Sequence, residues 1–393
     1  MLLWLWILPI ASALLWLTIG LRLRFLKKTI PSLDSTRPLS EPPGGWPFIS
    51  VIVPARNEEK EVGKCLASLV QQDYPRFELI FVDDQSTDAT SRIARDALQG
   101  CSFCKIIDGA PRPDGQHWIG KTWALVQGVA QAKADWLLFI DSDIVHHPAT
   151  FKQAIAEAVR LGVNALSILP SIDCRSFWEK SVMPLFASLS VLVEPLDSAS
   201  QPEKRAARLG GAFLLIKRDV YQAAGGHEAV RDKILEDMAL ARVLKKQGRR
   251  IWLTYTHDLT TTRMYDSFHD LWTGLGRLSF PMLNYSLALL LVAHLAALVG
   301  PLVPWLWLAG GLWLLARGAA AGLAYAAVGA GLCVLARRAV QPVFTVVKVP
   351  SQYAWLLPLA SALYVLAATY AAFRHFTGKG LTWKQRQCVA QRS

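Results

Sequence analysis

Charge is scarce in this sequence: 18% of its 393 residues are Asp, Glu, Lys or Arg, against 52% hydrophobic. That balance is too apolar for an average water-soluble protein and implies membrane segments beside one folded domain. Cysteine is scarce too. Six scattered cysteines exclude a disulfide framework and agree with a reducing compartment. Cys101 and Cys104 form a lone C-x-x-C, and without a second ligand pair nearby it does not read as a zinc site. No basic residue precedes the first apolar run, which argues against a cleaved signal peptide. The net charge is +12, yet there is no basic face interleaved with aromatics and no nucleic-acid module. Nucleic acid is therefore not an expected partner, and juxtamembrane Lys and Arg account for the charge.

The apolar excess sits in two places, Met1 to Leu21 and the stretch after Pro281. The first is close to the roughly 20 residues a helix needs to cross a bilayer. Arg22, Arg24, Lys27 and Lys28 follow it, so the positive-inside rule places what comes next in the cytosol. Residues 1–21 then read as an anchor and 22–47 as a basic juxtamembrane segment with a linker, because Pro31 to Pro47 carries five prolines and Gly44-Gly45. Residues 48–280 read as one domain, 281–373 as a second membrane region and 374–393 as a basic tail. Within the tail region the clearest span is Trp355 to Phe373, with others inside Tyr285 to Val303 and Gly318 to Ala336. Arg374, Lys379, Lys384 and Arg386 favour a cytosolic end, which calls for an even number of crossings, taken as four. The expected location is the cell's inner membrane, multi-pass, with the domain cytosolic.

The domain opens with Phe48-Ile-Ser-Val-Ile-Val-Pro54, a run typical of buried parallel strands. Helical spacing at Val62 to Gln72 follows, then a strand at Glu78 to Val82, a helix near Ala89 to Leu98 and a strand at Cys104 to Ile107. A helix near Thr122 to Ala132 and a strand at Trp136 to Ile140 complete the series. This alternation predicts an α/β fold with a parallel sheet and a ligand site at the carboxyl ends of its strands.

Polar residues gather at those ends: Asn57 and Glu58 after the first strand, Asp83 and Asp84 after the second, Asp141 and Asp143 after the fourth. A nucleotide diphosphate is usually held through Mg²⁺ or Mn²⁺, hard cations that take one or two protein carboxylates plus phosphate oxygens. Asp141-Ser-Asp143 supplies such a pair. So much negative charge beside a phosphate site makes sense if a cation offsets it.

The ordered runs Ser50-Val-Ile-Val-Pro-Ala-Arg-Asn-Glu58, Val82-Asp-Asp-Gln-Ser86, Phe139-Ile-Asp-Ser-Asp143 and Glu236-Asp237 resemble the motifs of family 2 glycosyltransferases with the GT-A fold. The membrane flanks, Gly210-Gly-Ala-Phe-Leu-Leu215, Gly225-Gly-His227 and Gly380-Leu-Thr-Trp-Lys384 look like the hopene-associated members, and are similar to carotenoid and ceramide glycosyltransferases. The resemblance implies a Rossmann-like, mostly parallel catalytic sheet and inverting transfer from a nucleotide-sugar donor, UDP-linked, to a membrane lipid acceptor related to hopanoids. It implies that Pro54, Ala55, Asn57 and Glu58 line the nucleotide pocket, that Asp83 or Asp84 holds uracil or ribose, and that Asp141 and Asp143 chelate Mg²⁺ or Mn²⁺. Asp237 matches the general base, Glu236 contacts the acceptor or orients that base, and Gly210 and Gly211 lie at the acceptor. Inverting transfer needs one carboxylate to take the acceptor proton while a cation stabilises the leaving diphosphate, which agrees on chemical grounds.

Processive family members carry Gln-x-x-Arg-Trp, whereas this chain has Thr273-Gly-Leu-Gly-Arg277 followed by Leu278. Arg277 can still neutralise diphosphate charge, but the missing tryptophan speaks against long-polymer synthesis. Lys121, in Trp118-Ile-Gly-Lys121, is a further candidate for donor phosphate. Phe177 to Leu196 is apolar, yet as a span it would divide Asp141 from Asp237, so it reads as an interfacial helix guiding a lipid acceptor, or as a core helix. Two rival readings stay open: a processive polysaccharide synthase and a silent membrane scaffold of the same fold.

Overall fold

The computed structural model describes all residues except 1–5, 114–115, 194–198, 202, 205, 378–380, 384–385 and 389–393. The first residues of the expected anchor, Leu196, Gly380, Lys379 and Lys384 thus lie outside the described residues. The chain forms two compact units. One comprises Ile30–Ile172, Glu194–Met264 and Thr382–Ser393; the other comprises Met1–Thr29, Asp173–Val193 and Tyr265–Leu381.

The first unit is built on a seven-stranded sheet of order β3-β2-β1-β4-β8-β6-β9. Its strands are β1 (Ile49–Ala55), β2 (Phe77–Asp83), β3 (Cys104–Asp108), β4 (Trp136–Ile140), β6 (Ala165–Leu169), β8 (Phe213–Lys217) and β9 (Ile251–Tyr255). β1 pairs in parallel with β2 and β4, and β6 with β9, while β8 runs antiparallel to both β4 and β6. The sheet is therefore mostly parallel, as expected, with one reversed strand.

Alternation along β1 and β2 explains the continuous apolar runs. Val51, Val53, Leu79 and Phe81 face a core shared with Leu66, Leu69, Ala94 and Phe151; Ile52, Ile80 and Val82 face one shared with Ala124, Leu125, Leu240 and Leu244. A strand covered on both faces has no polar side to show. A three-stranded sheet joins β10 (Thr260–Thr262) to β5 (Ile144–His146) and β7 (Ser171–Ile172).

Two bounds of the compact units fall elsewhere than the expected domain bounds. The proline-rich segment is not a free tether at its start: Leu33 N–H donates to Tyr255 O at 2.9 Å, Asp34 Oδ1 accepts from His257 N at 2.8 Å, and Leu33 is buried in the core. The unit begins at Ile30 rather than at residue 48, and Tyr265 onward belongs to the helical unit rather than to a domain ending at 280. A disulfide was also not expected, yet Cys101 and Cys104 are bonded, their Cα atoms 5.4 Å apart. The turn that closes with Cys101 N–H on Leu98 O, and Cys104 N–H on Cys101 O, brings the two side chains together.

The helical unit holds α1 (Ile7–Thr29) and the helices Phe177–Val193, Phe268–Met282, Leu287–Ala316, Gly322–Val346 and Leu357–Phe376. Among the described residues four helices are long and apolar enough to cross a membrane: Ile7–Leu26, Leu287–Ala316, Gly322–Val346 and Ser351–Phe376. Three of these come after Met264, where four were expected. The difference lies at Pro301 and Pro304, which sit inside one 30-residue helix, Leu287–Ala316, rather than dividing it. Pro304 cannot donate to the carbonyl four residues back, that of Gly300. That oxygen instead accepts from Ser12 Oγ at 3.1 Å and Trp16 Nε1 at 2.9 Å, so the helix continues with the group satisfied. Leu287, Leu291, Val292, Leu306 and Trp313 stand exposed along it.

The helix Phe177–Val193 is not an exposed ramp. Val182, Met183, Leu185, Phe186 and Ser188 are buried, and the helix packs against Phe268–Met282, Gly322–Val346 and Leu357–Phe376. The core-helix reading fits it better than the interfacial one.

Candidate active site

The loops after β1 and β2 are laced together at the carboxyl edge of the sheet. Asp84 N–H donates to Ala55 O at 2.8 Å, and the Arg56 guanidinium donates to the carbonyls of Asp84 and Gln85 at 2.6 and 2.5 Å. Asn57 and Gln85 both take left-handed backbone angles, with φ 51 and 56. Asn57 N–H donates to Ser86 Oγ at 3.0 Å, its Oδ1 accepts from Thr87 N at 2.9 Å, and Glu58 N–H donates to Thr90 Oγ1 at 2.7 Å. Asp83 Oδ1 accepts from Ser86 N at 3.1 Å, and Asp83 and Asp84 are buried. Gly109, beyond β3, fits only as glycine, because a Cβ there would stand 2.7 Å from Asp83 O. Pro54, Ala55, Asn57, Glu58, Asp83 and Asp84 thus share one rigid rim.

Asp141 and Asp143 follow β4 on the same edge, and Asp141 N–H donates to Ala212 O at 3.3 Å. Burial, then the neighbouring charges of Asp141 and Glu58, raises the Asp143 carboxyl to about 7. Burial is the larger cause and the crowded anions the smaller, with Lys121 opposing both. Among the described residues no three His, Cys, Asp or Glu side chains converge as a metal cage. A pair of carboxylates is what Mg²⁺ or Mn²⁺ asks of a protein when phosphate oxygens complete its shell.

The second half of the site arrives on the helix Glu236–Lys246. Its approach is pinned to the helix Gly120–Gln131: Ile119 N–H and Thr122 Oγ1 both donate to Arg231 O, at 2.8 and 3.0 Å. Lys121, one residue into that helix, then reaches both halves. Its Nζ is 2.6 Å from Asp141 Oδ1 and 2.7 Å from Glu236 Oε1. Burial alone would discharge the ammonium, but Asp141 and Glu236 reverse this and hold it above the ordinary lysine range. Asp237 Oδ2 accepts from Gly211 N at 2.7 Å and Oδ1 from Met238 N at 2.7 Å. Burial and then Glu236 raise its carboxyl to about 6, against the opposing pull of Lys121 and the two amides.

Asp141, Glu236, Asp237, Lys121 and Gly211 therefore meet, although far apart in sequence. Gly210 exchanges two hydrogen bonds with Ser167 Oγ, at 2.8 Å through its N–H and 3.0 Å through its carbonyl. Arg277 lies on Phe268–Met282 in the helical unit. His227 is buried, its Nδ1 2.8 Å from Tyr221 Oη and its ring 4.8 Å from that of Phe139. It is a packed, neutral histidine, its pKa lowered to about 3 by burial and then by Lys121. Sequence reading missed the clamp made by Arg56 and the hydrogen bond from Gly211 to the acid at 237. Arg56 lies inside the quoted run ending at Glu58, so its guanidinium was available as a signal; nothing local marks Gly211 as a donor.

Residues 50–222 match the model of Glycosyl transferase family 2. The chain is 27% identical over 263 residues to 4,4'-diaponeurosporenoate glycosyltransferase of Staphylococcus aureus strain USA300, covering 64% of this chain and 68% of the relative. The same enzyme of strain MRSA252 is 28% identical over the same length, with the same shares of each chain covered. Among solved structures, the mannosyltransferase from Pyrobaculum calidifontis in complex with GDP-Man and Mn²⁺ overlays with a TM-score of 0.54 at 20% identity. It covers 91% of this chain and 98% of its own. The likeness is one of fold, a GT-A-type α/β architecture with a mostly parallel central sheet. With residues 50–222 matching that family model, glycosyltransferases as relatives and a GT-A-type fold, the chain is a glycosyltransferase.

Proposed function

We propose that this glycosyltransferase moves a hexose, with inversion, from a UDP-linked donor to an isoprenoid lipid of the carotenoid or hopanoid class at the inner membrane. The observation that carries the reading is the meeting of Asp237 and Glu236 with Asp141 at one strand edge, through Lys121 and Gly211. Asp237 accepts the proton of the acceptor hydroxyl, because its pKa of about 6 leaves it ionised yet basic near neutrality. The Gly211 and Met238 amides fix where that carboxylate sits, and Glu236 holds Lys121 beside it. Pro54, Ala55, Asn57, Glu58, Asp83 and Asp84 form the nucleotide rim, with Lys121 as a cationic candidate for the diphosphate.

Asp141 and Asp143 would hold Mg²⁺ or Mn²⁺, which when bound offsets the charge of the leaving diphosphate. The two-carboxylate donor set, with Asp143 raised first by burial and then by its acidic neighbours, fits such a cation. The lipid acceptor is supported by the relatives' named acceptor, diaponeurosporenoate, and by the four long apolar helices. The charge pattern of Arg22, Arg24 and Lys28 supports a cytosolic catalytic unit. Residues 22–47, 48–280 and 281–373 then divide as juxtamembrane, catalytic and membrane regions, adjusted at their edges as described above.

The test is product analysis with purified protein in detergent, offering single radiolabelled nucleotide sugars with isoprenoid hydroxyl acceptors. One sugar per lipid, of inverted anomeric configuration, is the expected product. A long polymer, or transfer to water-soluble acceptors alone, would overturn the reading.

A further inference from the structure

Lys121 ties the two halves of the acidic cluster together. Its ammonium lies 2.6 Å from Asp141 Oδ1 and 2.7 Å from Glu236 Oε1, and a Cβ on Gly211 would stand only 3.0 Å from Nζ. The cluster it serves is crowded with anions, since Glu58, Asp141 and Asp143 share one field, and Glu236 and Asp237 another. An ammonium seated on a carboxylate oxygen does there what a bound cation would do. A second cation at Asp141 would then meet a positive charge only a few ångströms away, at a separation where like charges repel strongly.

Building on the metal reading above, we infer that Lys121 is a resident counter-ion that competes with the divalent cation for Asp141 and so makes cation binding depend on the nucleotide diphosphate. The bare cation must displace the ammonium without compensation. The cation arriving with a diphosphate brings phosphate oxygens whose negative charge can take the ammonium that Asp141 releases, while Glu236 keeps the lysine in place. Cation and donor then bind as one event, and the linkage between them is reciprocal. Lys121 acts here as a positioning residue. A lysine that merely contacted phosphate would leave the affinity for the bare cation unchanged.

The experiment titrates Mn²⁺, read by the electron paramagnetic resonance of the free ion, into full-length protein in detergent with and without UDP. Wild type is compared with Lys121→Met, Lys121→Gln and the charge-keeping Lys121→Arg. In Lys121→Met and Lys121→Gln the affinity for Mn²⁺ alone should rise about tenfold or more, and the enhancement by UDP should shrink by a similar factor. Lys121→Arg should stay near wild type. Lys121→Gln also serves if Lys121→Met proves unstable, because it retains a hydrogen-bond donor. Wild-type binding with no gain in either neutral variant overturns the inference alone. Failure of every protein to bind Mn²⁺, with or without UDP, overturns the metal reading and the inference with it.

Discussion

The backbone N–H of Gly211 donates to Asp237 Oδ2 at 2.7 Å, so the carboxylate proposed as base is aimed by a residue that has no side chain. A Cβ at position 211 would come within 3.0 Å of Lys121 Nζ and 3.3 Å of Glu236 Oε1. Gly211→Ala is therefore expected to fold normally and to lower kcat by about tenfold through a displaced lysine and glutamate, since small errors of position cost rate steeply. Thermal melting together with steady-state kinetics checks this. A variant with wild-type kcat would show that the approach is not functionally tight.

Asp237→Asn keeps size but removes the base, and its single amide oxygen can accept from only one of the Gly211 and Met238 N–H groups. Transfer should fall by about 10²-fold or more while nucleotide-sugar binding persists. Near-normal turnover would move the role elsewhere, with Glu236 the first alternative.

The same group sets a pH limit. Burial and the neighbouring Glu236 raise the Asp237 carboxyl to about 6, and a base works only when deprotonated. Activity should thus fall as pH drops through about 6, with a slope of one proton, and hold above it. Lys121 opposes that rise, so Lys121→Met should carry the midpoint upward. A kcat/KM profile that stays flat from pH 5 to 8, about one unit below and two above that midpoint, would exclude Asp237 as the titrating base.

With Asp141 and Asp143 as oxygen ligands for a hard cation, excess EDTA should abolish turnover and added Mg²⁺ or Mn²⁺ should restore it. Asp143→Asn should lose the metal-dependent part of donor binding. Full activity in EDTA would sink the assignment.

Gly128 lets the helix bearing Lys121 lie close on the sheet: a Cβ there would be 2.5 Å from Ile52 Cγ2 and 3.2 Å from Val82 Cγ2. Gly128→Ala should overpack this contact and destabilise the protein by about 1–3 kcal/mol, seen as a lower melting temperature. An unchanged melting temperature would mean the helix can lift without cost.

What the sequence disclosed were features written locally. The strands Ile49–Ala55, Phe77–Asp83 and Trp136–Ile140 show as unbroken apolar runs because both their faces are covered, and the acidic motifs fall at their ends. What stayed hidden depends on partners distant in the chain. Leu33 is held through its backbone by Tyr255, which no proline count can reveal. Pro304 ends a helix by every local rule, yet Ser12 and Trp16 supply the donors it lacks. Phe186 looks the same in sequence whether it faces lipid or, as here, other helices. The contact of Lys121 with both Asp141 and Glu236 is likewise visible only once three separate segments are folded.

The excursion of Phe177–Val193 bears on the order in which the protein is made. When this helix leaves the ribosome, α1 is already available, but the helices Phe268–Met282, Gly322–Val346 and Leu357–Phe376, against which it packs, have yet to be synthesised. The strands Phe213–Lys217 and Ile251–Tyr255, needed to complete the sheet, also emerge only after it. The apolar side chains of this segment therefore gain most of their packing partners only after the later helices have been made.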